Sequence, residues 1–145
     1  MVFKTGLTST PITITSEIDS ADIVQLAVAD GGDTVAVASA AQELHVYRSG
    51  DLVVGTKNCW TYHKARITSM QWLDDRFLVT AGLDRNLYVW DVTDPVEGPV
   101  ASLKDVHRDG ISSFHATKLS SNEIRIVSGG VEGSVVITVL AVKRI

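Results

Sequence analysis

The chain has 145 residues, a formal net charge of −4 at pH 7 and one cysteine. Net negative charge without a long basic run argues against nucleic acid and anionic membranes as partners. A lone cysteine cannot form a disulfide within the chain and fits a reducing compartment, so we expect an intracellular protein. The longest apolar run, 135–142, is far shorter than the roughly 20 residues that span a bilayer, so we expect no membrane segment.

Strands can be placed by alternating apolar residues and by the turn residues between them. No segment has a sustained helical period, so we expect an all-β fold. The first strand, near 11–15, looks like an edge strand. The others form three units in chain order: 24–29, 34–39, 44–47 and 52–55; then 67–72, 77–81, 87–90 and 100–103; then 111–116, 124–128 and 135–140.

A thirteen-residue hairpin pattern recurs at 35–47, 78–90 and 126–138, and its middle copy closes on Trp90-Asp91. The copies start 43 and 48 residues apart. A period of about 40–45 residues that ends in Trp-Asp is typical of four-stranded propeller blades. We therefore predict three four-stranded antiparallel blades, at approximately 18–60, 61–104 and 105–142.

Three blades do not close a ring, because propellers have about four to eight of them. We therefore predict a partial propeller, in which residues 8–16 could supply the closing strand of the third sheet. An open arc leaves two apolar blade faces uncovered, and such faces mark interfaces. The chain is then either part of a longer protein, or it self-associates through its open faces or completes its ring with a partner.

The middle unit holds His63, Thr80, Asp84 and Trp90 at the spacing of a hydrogen-bonded tetrad of propeller blades. Asp84 would accept from the histidine ring, and the ring would bond the threonine hydroxyl, which would meet the indole N–H. We predict that this tetrad holds the blade together, since an unpaired buried group costs on the order of 1–3 kcal/mol. A catalytic triad is the competing interpretation, which is disfavoured because Thr80 sits inside a strand pattern.

The other units carry incomplete copies of the tetrad. His107 and Ser128 recur in the third, but Glu132 and Thr138 stand in place of the aspartate and the tryptophan. The first has Val37 and Ala41 at matching positions. We therefore expect packing to hold these two blades more than hydrogen bonds do.

Nothing else in the sequence indicates catalysis, a metal or a cofactor. His45 and His115 lie on predicted strands and lack the spacing of a zinc site. The glycine pairs 31–32 and 129–130 have no phosphate-loop context. We predict a non-enzymatic protein without cofactor or metal.

In a propeller, the segment before the first strand of each blade and the turn between its second and third strands lie at the same rim. Basic residues are concentrated in these segments. Such a rim could receive an acidic partner. The competing interpretation is a solvated surface of mixed charge, since Asp84, Asp105 and Asp109 lie among the basic residues. The candidate partner-binding residues, called the charged rim below, are Lys64, Arg66, Arg85 and Arg108.

The chain resembles the WD-repeat β-propeller family over residues 18–142. Within it, the segments 36–47, 60–67 with Trp72, and 80–90 look like the C-terminal repeats of actin-interacting proteins that act with cofilin. This resemblance implies a cytoplasmic, cytoskeleton-associated protein that binds actin and cofilin and promotes filament disassembly. The alternative is a WD-repeat scaffold, adaptor or substrate receptor of a multiprotein complex with no actin role.

Overall fold

The computed structural model describes residues 21–48, 51–52, 61–93 and 98–143. These residues contain strands and turns, and among them no helix is long and apolar enough to cross a membrane. The strands are β1 (Ile23–Val28), β2 (Thr34–Ser39), β3 (Leu44–Arg48), β4 (Asp51–Leu52), β5 (Ile67–Trp72), β6 (Phe77–Gly82), β7 (Leu87–Asp91), β8 (Ala101–Leu103), β9 (Ile111–Ser120), β10 (Glu123–Gly130) and β11 (Val135–Ala141).

The strands form three antiparallel sheets in the orders β1-β2-β3-β4, β5-β6-β7-β8 and β9-β10-β11. Each sheet is a meander, so its strand order is the chain order. The first strands of successive sheets contact each other, β1 with β5 and β5 with β9. The predicted all-β class and the blade-like sheets are confirmed. The predicted closing strand at 8–16 lies outside the described residues, which supply three strands to the third sheet.

Most strand bounds differ from the prediction by one or two residues, but β9 is longer than expected. It was predicted to end at 116, whereas Thr117 and Lys118 still pair with Arg125 and Ile124 of β10. A tight turn at 121–122 lets the hairpin continue beyond its apolar part. Because the added residues are mostly polar and exposed, apolar alternation gave no signal for them. Of the strand predicted at 52–55, only Leu52 falls among the described residues.

Two apolar clusters join the three blades. In the first, residues of β2 and β3 pack on Ile67, Leu78, Tyr88 and Trp90 of the middle blade. In the second, residues of β6 and β7 pack on the third blade. The inserting positions are equivalent, because Ala36 pairs with Val46 as Val79 pairs with Val89, and Ala38 pairs with Leu44 as Ala81 pairs with Leu87.

Side chains of β5 tie the middle blade to the backbones of both neighbours. Trp72 Nε1 donates to the carbonyl of Ala27 at 2.9 Å. Gln71 Nε2 donates to the carbonyl of Ala116 at 2.7 Å, and Gln71 Oε1 accepts from the amide of Ala116 at 2.9 Å. The Gln71 side chain therefore bonds both the N–H and the C=O of Ala116, as the backbone of a paired strand would. Hydrogen bonds as well as apolar contacts thus fix the position of each blade relative to its neighbour.

Replacing Gln71 by Leu should destabilise the fold by roughly 1–3 kcal/mol, because the N–H and C=O of Ala116 would lose their bonds at a half-buried blade junction. Urea unfolding measures the loss. The control is His115→Leu, since His115 occupies the equivalent position of β9 and is exposed. Equal losses in the two variants would contradict this role for Gln71.

Candidate functional site

The tetrad residues form one continuous chain of hydrogen bonds. His63 Nδ1 lies 3.0 Å from Asp84 Oδ2, and His63 Nε2 lies 2.8 Å from Thr80 Oγ1. Trp90 Nε1 donates to the same hydroxyl at 2.9 Å. With Nδ1 protonated, His63 donates to Asp84 and accepts from Thr80, whose oxygen accepts from the indole. Every polar group of the four side chains then has a consistent partner.

Burial decides what the tetrad can do chemically. Thr80 and Trp90 are fully buried and His63 is 2 % exposed. A nucleophilic hydroxyl must reach a substrate carbonyl beside oxyanion donors, and the Thr80 hydroxyl is instead enclosed and bonded on both sides. The arrangement fits a structural network and does not fit the triad interpretation.

Asp84 also anchors the loops at the rim. Its carboxylate accepts from the backbone amides of Lys64 at 3.0 Å and Asn86 at 3.2 Å. Burial alone would raise the pKa of Asp84, but the bond from His63 and these two amides outweigh it and lower that pKa below its usual value. Asp84 therefore stays ionised at neutral pH while it fixes both the turn and the segment before β5.

The third blade has a network that the sequence analysis did not foresee in full. His107 Nε2 lies 2.9 Å from Ser128 Oγ, and His107 Nδ1 lies 3.1 Å from Glu132 Oε1 and 2.9 Å from Ser134 Oγ. Ser134 also donates to Glu132 at 2.7 Å. This bond from Ser134, with the Glu132 amide and His107, lowers the pKa of Glu132 to about 2. The Ser134 hydroxyl and the Glu132 carboxylate therefore both bond Nδ1 of His107, whereas Asp84 alone bonds Nδ1 of His63.

A glycine beneath each histidine ring is the sequence signal for these networks. A Cβ on Gly82 would lie 2.8 Å from the Arg66 carbonyl and 3.0 Å from His63 Nδ1, and one on Gly130 would overlap His107 and Glu132. The first blade has Ser39 at this position. There the Ser39 hydroxyl accepts from the amides of Ala41 and Glu43 instead.

Asp91, the aspartate of the Trp-Asp pair, is held by an arginine that the sequence analysis missed. Arg76 Nη2 donates to Asp91 Oδ2 at 2.6 Å and Arg76 Nε donates to Oδ1 at 3.0 Å. Thr93 adds its hydroxyl and its amide. Burial raises the pKa of Asp91, but these donors outweigh it and lower the pKa to about 2. The pair joins the start of β6 to the end of β7.

The charged rim surrounds the turn between β6 and β7. The Leu83 amide donates to the Arg66 carbonyl at 2.9 Å, and the Val106 amide donates to the Arg85 carbonyl at 3.0 Å. A Cβ on Gly110, two residues after Arg108, would touch Leu83. All four rim cations are exposed, and Leu83 itself is 39 % exposed. The structure thus brings the predicted rim residues to one surface with an apolar side chain among them.

Aspartates offset part of the rim charge. Arg85 Nη1 lies 4.0 Å from Asp105 Oδ1, and Arg108 Nη2 lies 3.4 Å from Asp109 Oδ2. Both pairs are largely exposed to solvent, where such pairs hold side chains weakly. In the part of the chain that the structure describes, Lys64 and Arg66 form no ion pair with a carboxylate. These two carry the rim charge that remains available.

Beside the rim lies an open groove of about 450 Å³. Lys104, which the sequence analysis did not include, adds a cation here: its Nζ lies 2.7 Å from the Tyr88 hydroxyl and 4.6 Å from the ring centre. Within the described ranges no three His, Cys, Asp or Glu side chains are grouped to hold a metal ion. The groove is lined by Thr61, Tyr62, Lys64, Asn86, Tyr88 and Lys104.

Comparison with solved structures identifies the fold. RRP9 WD40 repeats superpose with a TM-score of 0.60 at 17 % identity, over 81 % of this chain and 36 % of theirs. The WD40 propeller domain of Doa1 gives 0.58 at 16 % identity, over 80 % and 34 %. The chain is built of WD-repeat propeller blades. At these identities the likeness shows the fold alone.

Curated relatives of the WD-repeat chain are longer proteins, and no family model matches it. A 66 kDa stress protein of Physarum polycephalum is 34 % identical over 77 residues, which cover 52 % of this chain and 12 % of that protein. Actin-interacting protein 1 of Caenorhabditis elegans is 25 % identical over 120 residues, 81 % of this chain and 19 % of that protein. The chain spans less than a fifth of either relative.

Replacing Gly82 by Ala should cost roughly 1–3 kcal/mol, because the new methyl group must displace the Arg66 backbone or the bond between His63 and Asp84. Urea unfolding measures this cost. Gly129→Ala is the matched control: it lies in β10 with no atom closer than 3.8 Å to the added Cβ. A Gly82→Ala variant as stable as this control would contradict the close approach.

Replacing Asp91 by Asn should lower the unfolding free energy at pH 6 by roughly 1–2 kcal/mol. This range is smaller than the full pKa shift would give, because Arg76 is partly exposed and solvent weakens its ion pair with Asp91. The folded pKa lies below the usual 3.8. The stabilisation is therefore complete above about pH 4 and disappears as the pH falls toward 2. Urea melts at pH 6 and pH 2.5 should show the gap between wild type and variant closing. A gap that is the same at both pH values would refute the assignment.

Proposed function

We propose that these WD-repeat blades are a protein-binding surface that serves cofilin-dependent disassembly of actin filaments. The observation that supports the actin role is the similarity to actin-interacting protein 1 over 81 % of the chain. The proposal extends to the place of action, which is the cytoplasm at the actin cytoskeleton, and to actin and cofilin as partners.

The charged rim is the part of the chain best suited to contact such a partner. Asp84 bonds the backbone amides of Lys64 and Asn86, so the backbone that carries Lys64 and Arg85 is held in place. Arg85 has a positive φ of 73°, as has Gln42 at 62° in the first blade, while Gly133 takes this position in the third. A left-handed arginine is unusual, and here it sits at the turn tip beside the exposed Leu83. A cationic rim with an apolar centre fits an acidic partner surface.

The test is co-sedimentation of filamentous actin with this chain, with and without cofilin. We expect the chain to pellet with cofilin-bearing filaments and to reduce the pelletable actin only when cofilin is present. Binding should weaken as salt is added, since exposed charges are screened within about 10 Å at 0.1 M ionic strength. No cofilin-dependent change in pelletable actin would contradict the actin role and leave the WD-repeat adaptor as the interpretation.

A charge-reversal pair assigns any binding to the rim. Arg66→Glu should weaken it roughly two- to fivefold, the range of an exposed ion pair. Lys143→Glu makes the same change in net charge outside the rim, beyond β11, where Val142 bonds Asn122 of the β9–β10 turn. It should leave binding unchanged. Equal effects of the two substitutions would show that net charge, rather than the rim, controls binding.

A further inference from the structure

Three hydrogen-bond donors meet at the Tyr88 hydroxyl in the groove beside the charged rim. Lys104 Nζ donates to the hydroxyl oxygen at 2.7 Å, and Asn86 Nδ2 donates to it at 3.4 Å. The orientation of the Asn86 amide is fixed by its other end, because Oδ1 accepts from the backbone amide of Asp105 at 3.2 Å. The third donor is the hydroxyl proton itself.

The hydroxyl proton of Tyr88 has no acceptor among the described residues. A phenol both donates and accepts, and the contacts with Lys104 and Asn86 use only its oxygen. Tyr88 is 2 % exposed, and a buried donor without an acceptor costs free energy. The cluster therefore suits a ligand group that accepts hydrogen bonds and donates none.

The groove also carries positive charge that its own residues do not neutralise. Its lining within the described ranges contains two lysines and no carboxylate. Lys104, like Lys64, is exposed and forms no ion pair with a carboxylate in the described part of the chain. Asp84 is occupied by the tetrad, and Asp105 lies 4.0 Å from Arg85. An anionic ligand group would therefore balance charge that is available in the groove.

Tyr62 gives the groove an aromatic wall beside these donors. Its ring makes edge contacts with the rings of Tyr88 and Trp90, with centroids 6.0 Å and 5.6 Å apart. A Cβ on Gly98 would overlap the Tyr62 hydroxyl, so this glycine leaves room for the ring. Tyr62 is nevertheless 40 % exposed. Apolar surface next to the donors favours a peptide over a free anion.

The donor cluster is particular to the middle blade. At the position of Tyr88 the first and third blades have His45 and Val136. At the position of Asn86 the first blade has Glu43, whose carboxylate would repel an anion. The blade architecture therefore forms without this cluster, which points to a role in binding rather than in folding.

We propose that this groove binds an acidic segment of a partner protein, with one carboxylate at the Tyr88 hydroxyl and a second beside Lys64. A carboxylate has about four lone-pair sites on two oxygens, so it can accept from the hydroxyl, Lys104 and Asn86 together. A phosphate would bring nearly two charges to the one ammonium group at the hydroxyl, so a carboxylate matches the cluster better. The proposal rests on the protein-binding role proposed above and is independent of actin.

An NMR titration of the ¹⁵N-labelled chain tests this binding. The probe is a six-residue peptide with blocked ends that alternates glutamate and leucine. We expect the side-chain amide signals of Asn86 to shift and to saturate as the peptide is added. A control peptide with glutamine in place of glutamate should leave these signals unchanged, because it has no carboxylate. A third peptide carries phosphoserine in place of glutamate and should bind no more tightly than the first.

Two substitutions assign the binding to the donor cluster. Lys104→Gln should weaken it roughly two- to fivefold, the range of an exposed ion pair. Tyr88→Phe keeps the ring and removes the hydroxyl, and it should weaken binding roughly fivefold. Lys118→Gln is the matched control, because Lys118 is exposed at the opposite end of the blades, where it bonds Asp74. It should leave binding unchanged, and circular dichroism should show the wild-type β signal for all three variants.

Four results would overturn the proposal. They are the absence of a saturable shift, equal binding of the glutamine peptide, binding of the phosphoserine peptide alone, and equal weakening by Lys104→Gln and Lys118→Gln. Neither actin nor cofilin is present in this titration. A failure of the actin role in co-sedimentation and a failure of the groove are therefore observed separately.

Discussion

Each blade of this protein has two apolar faces and therefore depends on a neighbour on both sides. The middle blade has both neighbours, and its strands β6 and β7 are buried along their whole length. Among the described residues the third blade packs on the middle blade alone, and β10 and β11 mostly alternate between buried or half-buried and exposed residues. Since a stacked repeat gains much of its stability from its neighbours, burial follows position in the array more than the composition of each blade.

Hydrogen bonds between side chains complement this packing where sheet hydrogen bonds cannot reach. A blade's own ladder ends at the rim, and there Asp84 links His63, Lys64 and Asn86 across the turn. At the opposite end of the hairpin, Asp91 and Arg76 connect the start of β6 to the end of β7. The middle hairpin is thus held at both ends by a buried or half-buried carboxylate, which helps to explain how it supports two neighbours.

The sequence predicted the strands and the repeat well because both depend on local periodicity. The tetrad followed from residue types at a fixed spacing, and its geometry in the structure agrees with that pattern. Four features had no such signal. Arg76 and Ser134 bond Asp91 and His107 because they lie close in space, and neither belongs to a recognisable motif. The polar end of β9 is a strand because the tight turn at 121–122 lets its pairing with β10 continue. Lys104 reaches the groove only because β8 runs beside β7.

The third blade shows how the network can change while its function in the fold is kept. Thr138 stands where Trp90 stands in the middle blade, so the hydroxyl of Ser128 has no indole donor. In return the other nitrogen of the ring gains a second partner, Ser134, which shares a bond with Glu132. Gly130 is retained because the ring and carboxylate still need its space. A blade that has the histidine therefore also has the glycine, whereas the tryptophan position can change, as Trp90 and Thr138 show.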